Sequence, residues 1–153
     1  MTEGSLPLGW RPDVARVLLI DDCPDFRAWA RCTLEREGLE VIEARDALAG
    51  LQRAVEDRRD CVVVADTLAG LGGLDVASRL VDEPATAGLP VLLSCEFAEA
   101  ALRRDAKEAG VHALLPRTGR ASDLCEPIRA ALFCAGLPRS AEGAARGVGS
   151  AAA

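Results

Sequence analysis

Five short apolar runs punctuate the chain: VARVLLI at 14–20, LEVIEA at 39–44, DCVVVA at 60–65, PVLLS at 90–94 and HALLP at 112–116. Their β-branched residues and the turn-forming residues around them predict strands. Between them the apolar positions switch to helical spacing. In PDFRAWARCTLEREG (24–38), Phe26, Ala30 and Leu34 share one face. Pro24 stands where a first turn needs no donor, Asp25 suits the positive helix start, and Gly38 closes the segment. RDALAGLQRAVEDRR, LDVASRLVDE, EFAEAALRRDAKEAG and ASDLCEPIRAALFCAG predict four more helices. The last is expected to be irregular at Pro127, which lacks the donor an interior turn uses. Strands that are apolar throughout and alternate with helices imply a parallel sheet covered on both faces. With right-handed crossovers, the result is a doubly wound α/β domain.

The pattern also sets the organisation. Residues 1–13 are a polar, Pro/Gly-bearing extension, 14–135 hold the periodic segments, and 136–153 form an Ala/Gly/Ser-rich tail expected to be disordered. A chain of 153 residues is the size of one domain, so with no visible repeat a second domain is not expected.

A net charge of -6 argues against nucleic-acid binding, which needs a basic surface. The apolar runs are too short to span a bilayer, and the N-terminus lacks a basic segment before an apolar core, so the expected place is the cytoplasm. Six cysteines form no C-x-x-C pair, and His112 is the sole histidine, so neither a zinc site nor a disulfide framework is indicated. Most of the thiols read as small buried hydrophobes, and His112 as structural. The GLGG segment lacks the spacing of a dinucleotide fingerprint.

In a doubly wound sheet function gathers at the carboxyl ends of the strands. Those ends supply Asp21 and Asp22 after strand one, Ala65 and Asp66 after strand three, Ser94 and Cys95 after strand four, and Arg117 after strand five. With VLLIDDCPDFRAWARCTLEREGLEVIEARD, DCVVVAD…GLGGLDV, DEPATAGLPVLLS and EAGVHALLP, the chain resembles the receiver domain of bacterial response regulators over about 15–133. The resemblance implies a flavodoxin-like (CheY-like) five-stranded parallel sheet of order 2-1-3-4-5. It also implies a paired acid that helps hold Mg²⁺, an aspartate ending strand three that accepts phosphate, a Thr or Ser after strand four, and a Lys after strand five.

Asp21 and Asp22 match the acid pair. The acceptor does not match. The family places it five positions after the acidic residue that opens strand three and eight before a glycine. From Asp60 that position is Ala65, and Gly73 follows at the right distance. Asp66 is the candidate substitute, but in a regular strand its side chain points away from Asp21 and Asp22, and only a bulge would bring it back. The hydroxyl position holds Cys95, with Ser94 one place early. The lysine position holds Arg117, which is expected to pair with one of the acids. Thr118 stands where a proline usually follows, and Leu114 where many receivers carry an aromatic.

The expectation is therefore a degenerate receiver, not an enzyme, that binds Mg²⁺ weakly if at all. It would work as a protein-interaction module through the helix-four, strand-five, helix-five face at about 98–134, with a histidine kinase or output protein as partner. A homodimer is left open, and nucleic acid and membrane are not expected. Two alternatives stand beside it: a phosphorelay receiver that uses Asp66, and a thiol sensor through Cys23 and Cys95.

Overall fold

The computed structural model describes residues 14–135. The expected extension at 1–13 and tail at 136–153 lie outside the described residues. Five strands, β1 (Arg16–Ile20), β2 (Glu40–Ala44), β3 (Cys61–Ala65), β4 (Val91–Cys95) and β5 (Ala113–Pro116), alternate with five helices. These are α1 (Pro24–Arg36), α2 (Ala47–Glu56), α3 (Gly73–Asp82), α4 (Ala100–Glu108) and α5 (Ala121–Cys134). The strands form one parallel sheet in the order β2-β1-β3-β4-β5, as the periodicity and the resemblance led one to expect.

Strand parity divides the core. Val17 and Leu19 of β1, Val63 of β3 and Leu92 of β4 face α1 and α5, where they meet Ala30, Leu34, Leu124, Ile128 and Leu132. Leu18 and Ile20, Val62 and Val64, and Leu93 face the other way, onto Ala54 of α2, Val76 and Leu80 of α3 and Ala106 of α4. β3 and β4 are buried at every position, which is why they read as unbroken apolar runs. α2 comes unusually close to β1. A Cβ on Gly50 would lie 2.6 Å from Ile20 Cδ1, so the absence of a side chain there permits the packing.

Three elements depart from the sequence expectation. α4 begins at Ala100 rather than Glu96, because nothing caps an earlier start; even Glu99 at the N-cap makes no side-chain cap bond. Residues 96–99 are therefore loop, with Phe97 exposed. α2 is shorter than its apolar pattern and starts where the Asp46 carboxylate accepts the Ala49 N–H at 2.7 Å. α5 runs helical through Pro127. Leu124, Cys125, Ile128, Ala131 and Leu132 are buried against the sheet on both sides of the proline. That packing outweighs a single lost hydrogen bond, which interior proline makes worth about 3 kcal/mol.

Candidate functional site

Asp21 follows β1 directly, and its backbone N–H continues the sheet by donating to the Ala44 carbonyl at 3.0 Å. Its side chain is buried, and both carboxylate oxygens are engaged. Oδ1 accepts the Cys23 N–H at 2.8 Å, fixing the turn into α1. Oδ2 accepts from Arg117 Nη1, also at 2.8 Å. The partner expected for Arg117 is thus Asp21. The guanidinium carbon also lies 3.9 Å from the centre of the Phe26 ring, a cation–π contact with α1. Arg27, one residue on, donates to the Asp21 carbonyl at 2.7 Å. Asp22 is exposed and bridges loops, accepting the Ala69 N–H at 3.2 Å.

The register of β3 decides where residues 65 and 66 stand. Val62 N–H donates to the Pro90 carbonyl and Asp66 N–H to the Ser94 carbonyl, the same offset at both ends of the strand. Val62 pairs with Val91 and Ala65 with Ser94 in between. The ladder therefore contains no bulge up to Ala65, the last residue of the strand. Ala65 is buried, with the first turn of α3 lying directly on its carbonyl.

Asp66 borders the same cleft as Asp21, Asp22 and Arg117, because β3 ends at Ala65 and Asp66 already belongs to the loop above the sheet. The cleft measures about 600 Å³ and is also bordered by Cys23, Thr67, Glu96, Phe97, Glu99 and Leu102.

Around these groups the other candidates take their places. Cys95 is buried, and burial pushes its thiol up; the Asp66 charge adds to this, and Arg103 and Arg117 oppose it. Since the thiolate is the reactive form, this environment works against redox chemistry at Cys95. Cys23 is half-buried, and all six cysteines are free thiols. Ser94 is buried, and its hydroxyl has no hydrogen-bond partner among the described residues. Leu114 packs, partly buried, on the α2–α3–α4 side of the core. Thr118 donates to the Asp123 carboxylate at 2.6 Å and accepts the Arg120 N–H, so the residue in the proline position tethers the start of α5. Phe26 is the contributor the sequence reading missed. Its helical spacing marks it as a core residue, and nothing in that pattern signals a ring beneath a guanidinium.

The Mg²⁺ implied by the resemblance can be tested against these donors. Such an ion wants an octahedron of oxygens, usually one or two carboxylates with further oxygens around them. Here Asp21 is held by an N–H and a guanidinium, and the residue in line with it on β3 is a methyl group. Among the described residues no three His, Cys, Asp or Glu groups gather closely enough to hold a metal ion. The residues present do not fit the ion. Also among the described residues, no helix is long and apolar enough to cross a membrane.

Comparison with known proteins agrees with the architecture. CheY4, a chemotaxis protein of Vibrio cholerae, superposes with a TM-score of 0.75 over 78% of this chain and 99% of its own, at 21% identity, a likeness of fold. PilH of Pseudomonas aeruginosa is 28% identical over 80 residues, covering 52% of this chain and 66% of PilH. A gliding motility regulatory protein of Myxococcus xanthus is 31% identical over 100 residues, 65% of this chain but 13% of that protein. The chain thus matches less than two-thirds of the length of either curated relative. The family model for the response regulator receiver domain matches residues 17–129. The chain belongs to the response regulator receiver family of two-component signalling.

Proposed function

We propose that this receiver domain works as a protein-interaction module that is not switched by aspartyl phosphate and is not itself an enzyme. The observation that supports the reading is the unbroken β3 ladder, which runs without a bulge to Ala65, the residue that the family spacing assigns to the phosphoacceptor. A methyl group offers no nucleophile, and the buried Cys95 thiol beside it is held protonated. The partner surface is taken to be the α4, β5 and α5 face, with a histidine kinase or an output protein as the occupant.

One observation favours a second reading. Asp66 borders the same cleft as the acid pair, so a phosphorelay receiver with a displaced acceptor is the competing proposal. A single measurement separates the two. The full chain is incubated with Mg²⁺ and a small-molecule phosphodonor and weighed intact, beside Asp66→Asn. An unchanged mass for both is the expected result. A hydroxylamine-labile phosphate adduct that disappears in Asp66→Asn would establish the second reading and end the first.

A further inference from the structure

We infer that Arg117 is the resident cation of this site, a guanidinium built into the end of β5 that takes the electrostatic place of a divalent ion. The inference rests on the reading that Ala65 leaves the acceptor position without a carboxylate. Removing that acid leaves Asp21 and Asp22 as the negative groups at the end of β1. Neighbouring carboxylates repel and need compensation, above all when one of them is as buried as Asp21. Arg117 supplies it with a guanidinium nitrogen at 2.8 Å.

The choice of arginine matters. An ammonium would meet Asp21 as a point charge, whereas the flat guanidinium meets the carboxylate at one edge and lies over the Phe26 ring with its face. The clamp therefore joins three elements: the end of β1, the first turn of α1 and the junction of β5 with α5. A divalent ion entering beside Asp21 would meet both a fixed positive charge and a carboxylate whose oxygens already hold hydrogen bonds. The Arg117 N–H continues the ladder by donating to the Cys95 carbonyl at 2.9 Å, so the backbone that carries the cation is itself anchored.

The structure also provides a reporter. Trp29 stacks obliquely on Phe26, with ring centres 5.7 Å apart. Of the two tryptophans in the chain, Trp10 is replaced by Phe, so that emission comes from Trp29 alone. In this background Mg²⁺ is titrated to about 10 mM at constant ionic strength, and both emission and melting temperature are followed. The native clamp is expected to show no saturable emission change and a melting shift under about 1 °C. Arg117→Met strands the buried carboxylate, so it melts lower by roughly 10 °C and regains about 3 °C or more with Mg²⁺. Asp21→Asn combined with Arg117→Met removes both charges and is expected to lose the Mg²⁺ response.

A saturable Mg²⁺ response in the native clamp, or a folded Arg117→Met without one, would overturn the inference. Should Arg117→Met not fold, the native titration decides alone. The phosphodonor experiment fails independently. An adduct on Asp66 with a Mg²⁺-indifferent clamp ends the interaction-module reading. A Mg²⁺-responsive native clamp without an adduct ends the resident-cation inference.

Discussion

A methyl group on residue 73 would lie 2.0 Å from the carbonyl oxygen of Ala65, far inside van der Waals contact. The obstacle is backbone at the end of a central strand, so it cannot swing aside. The Gly73 N–H meanwhile donates to the Asp66 carbonyl at 3.1 Å, which ties the first turn of α3 to the place where β3 ends. Gly73→Ala is therefore expected to cost about 3 kcal/mol, read as a fall in urea midpoint at unchanged slope. A loss below roughly 0.5 kcal/mol would mean that α3 can lift away from the strand without penalty. The spacing from Asp60 through Ala65 to Gly73 was legible from sequence, but the close approach of α3 to the Ala65 carbonyl was not, because it depends on how the helix packs on the strand end. Asp66 was less legible. Parity gives its side, but where the strand stops decides whether it borders the cleft, and that depends on α3 and its loop. Phe26 was not legible in this role, since helical spacing reports burial and is silent about which neighbour meets the ring face.

At the scale of elements, the outer edge of the sheet is tied to α1 by ion pairs as well as by apolar contact. Arg27 of α1 pairs with Glu43 of β2 at 3.1 Å, and Arg31 reaches the other Glu43 oxygen at 2.8 Å while also bonding Glu35. The hydrogen bond from Arg31 lowers the Glu43 carboxyl below its ordinary value; burial opposes this and Arg27 adds to it. A depressed folded value means that the stabilisation is complete above the unfolded value, about 4.3, and is lost as pH falls through the folded one. Glu43→Gln should accordingly lower the urea midpoint at neutral pH, with the gap to the native protein closing below about pH 4. A gap that stays constant with pH would assign the effect to packing. Added salt should narrow the neutral-pH gap as well, since these groups are only part-buried. No pattern of apolar residues predicts such pairs, which form because α1 crosses β2 with its arginines on the solvent edge. Element ends follow the same logic. The start of α4 and the continuity of α5 through Pro127 were misjudged because caps and packing, rather than periodicity, settle them.

For the whole domain, the layout leaves two packed half-cores on either side of one sheet, and the Arg117 clamp spans the carboxyl ends of β1 and β5 above both. A parallel sheet covered on both faces was legible from unbroken apolar strands alternating with helices, and its strand order from the resemblance to the receiver family. What the pattern does not encode is whether the domain has one state or two. A switch needs a ligand with different affinity for two arrangements. On the proposed reading the acceptor place falls to Ala65, a methyl, and the buried Asp21 carboxylate is already paired with Arg117. The prediction is global and can be measured on the full chain. Amide hydrogen exchange across 98–134 should be the same with and without Mg²⁺ and phosphodonor, while Arg117→Met should speed exchange at the junction of β5 and α5 under either condition. Loss of the clamp frees the loop that carries it, so the mutation acts where the small molecules do not. Protection in α4, β5 and α5 that shifts with phosphodonor in the native chain would reveal a second state, and would place its trigger at Asp66.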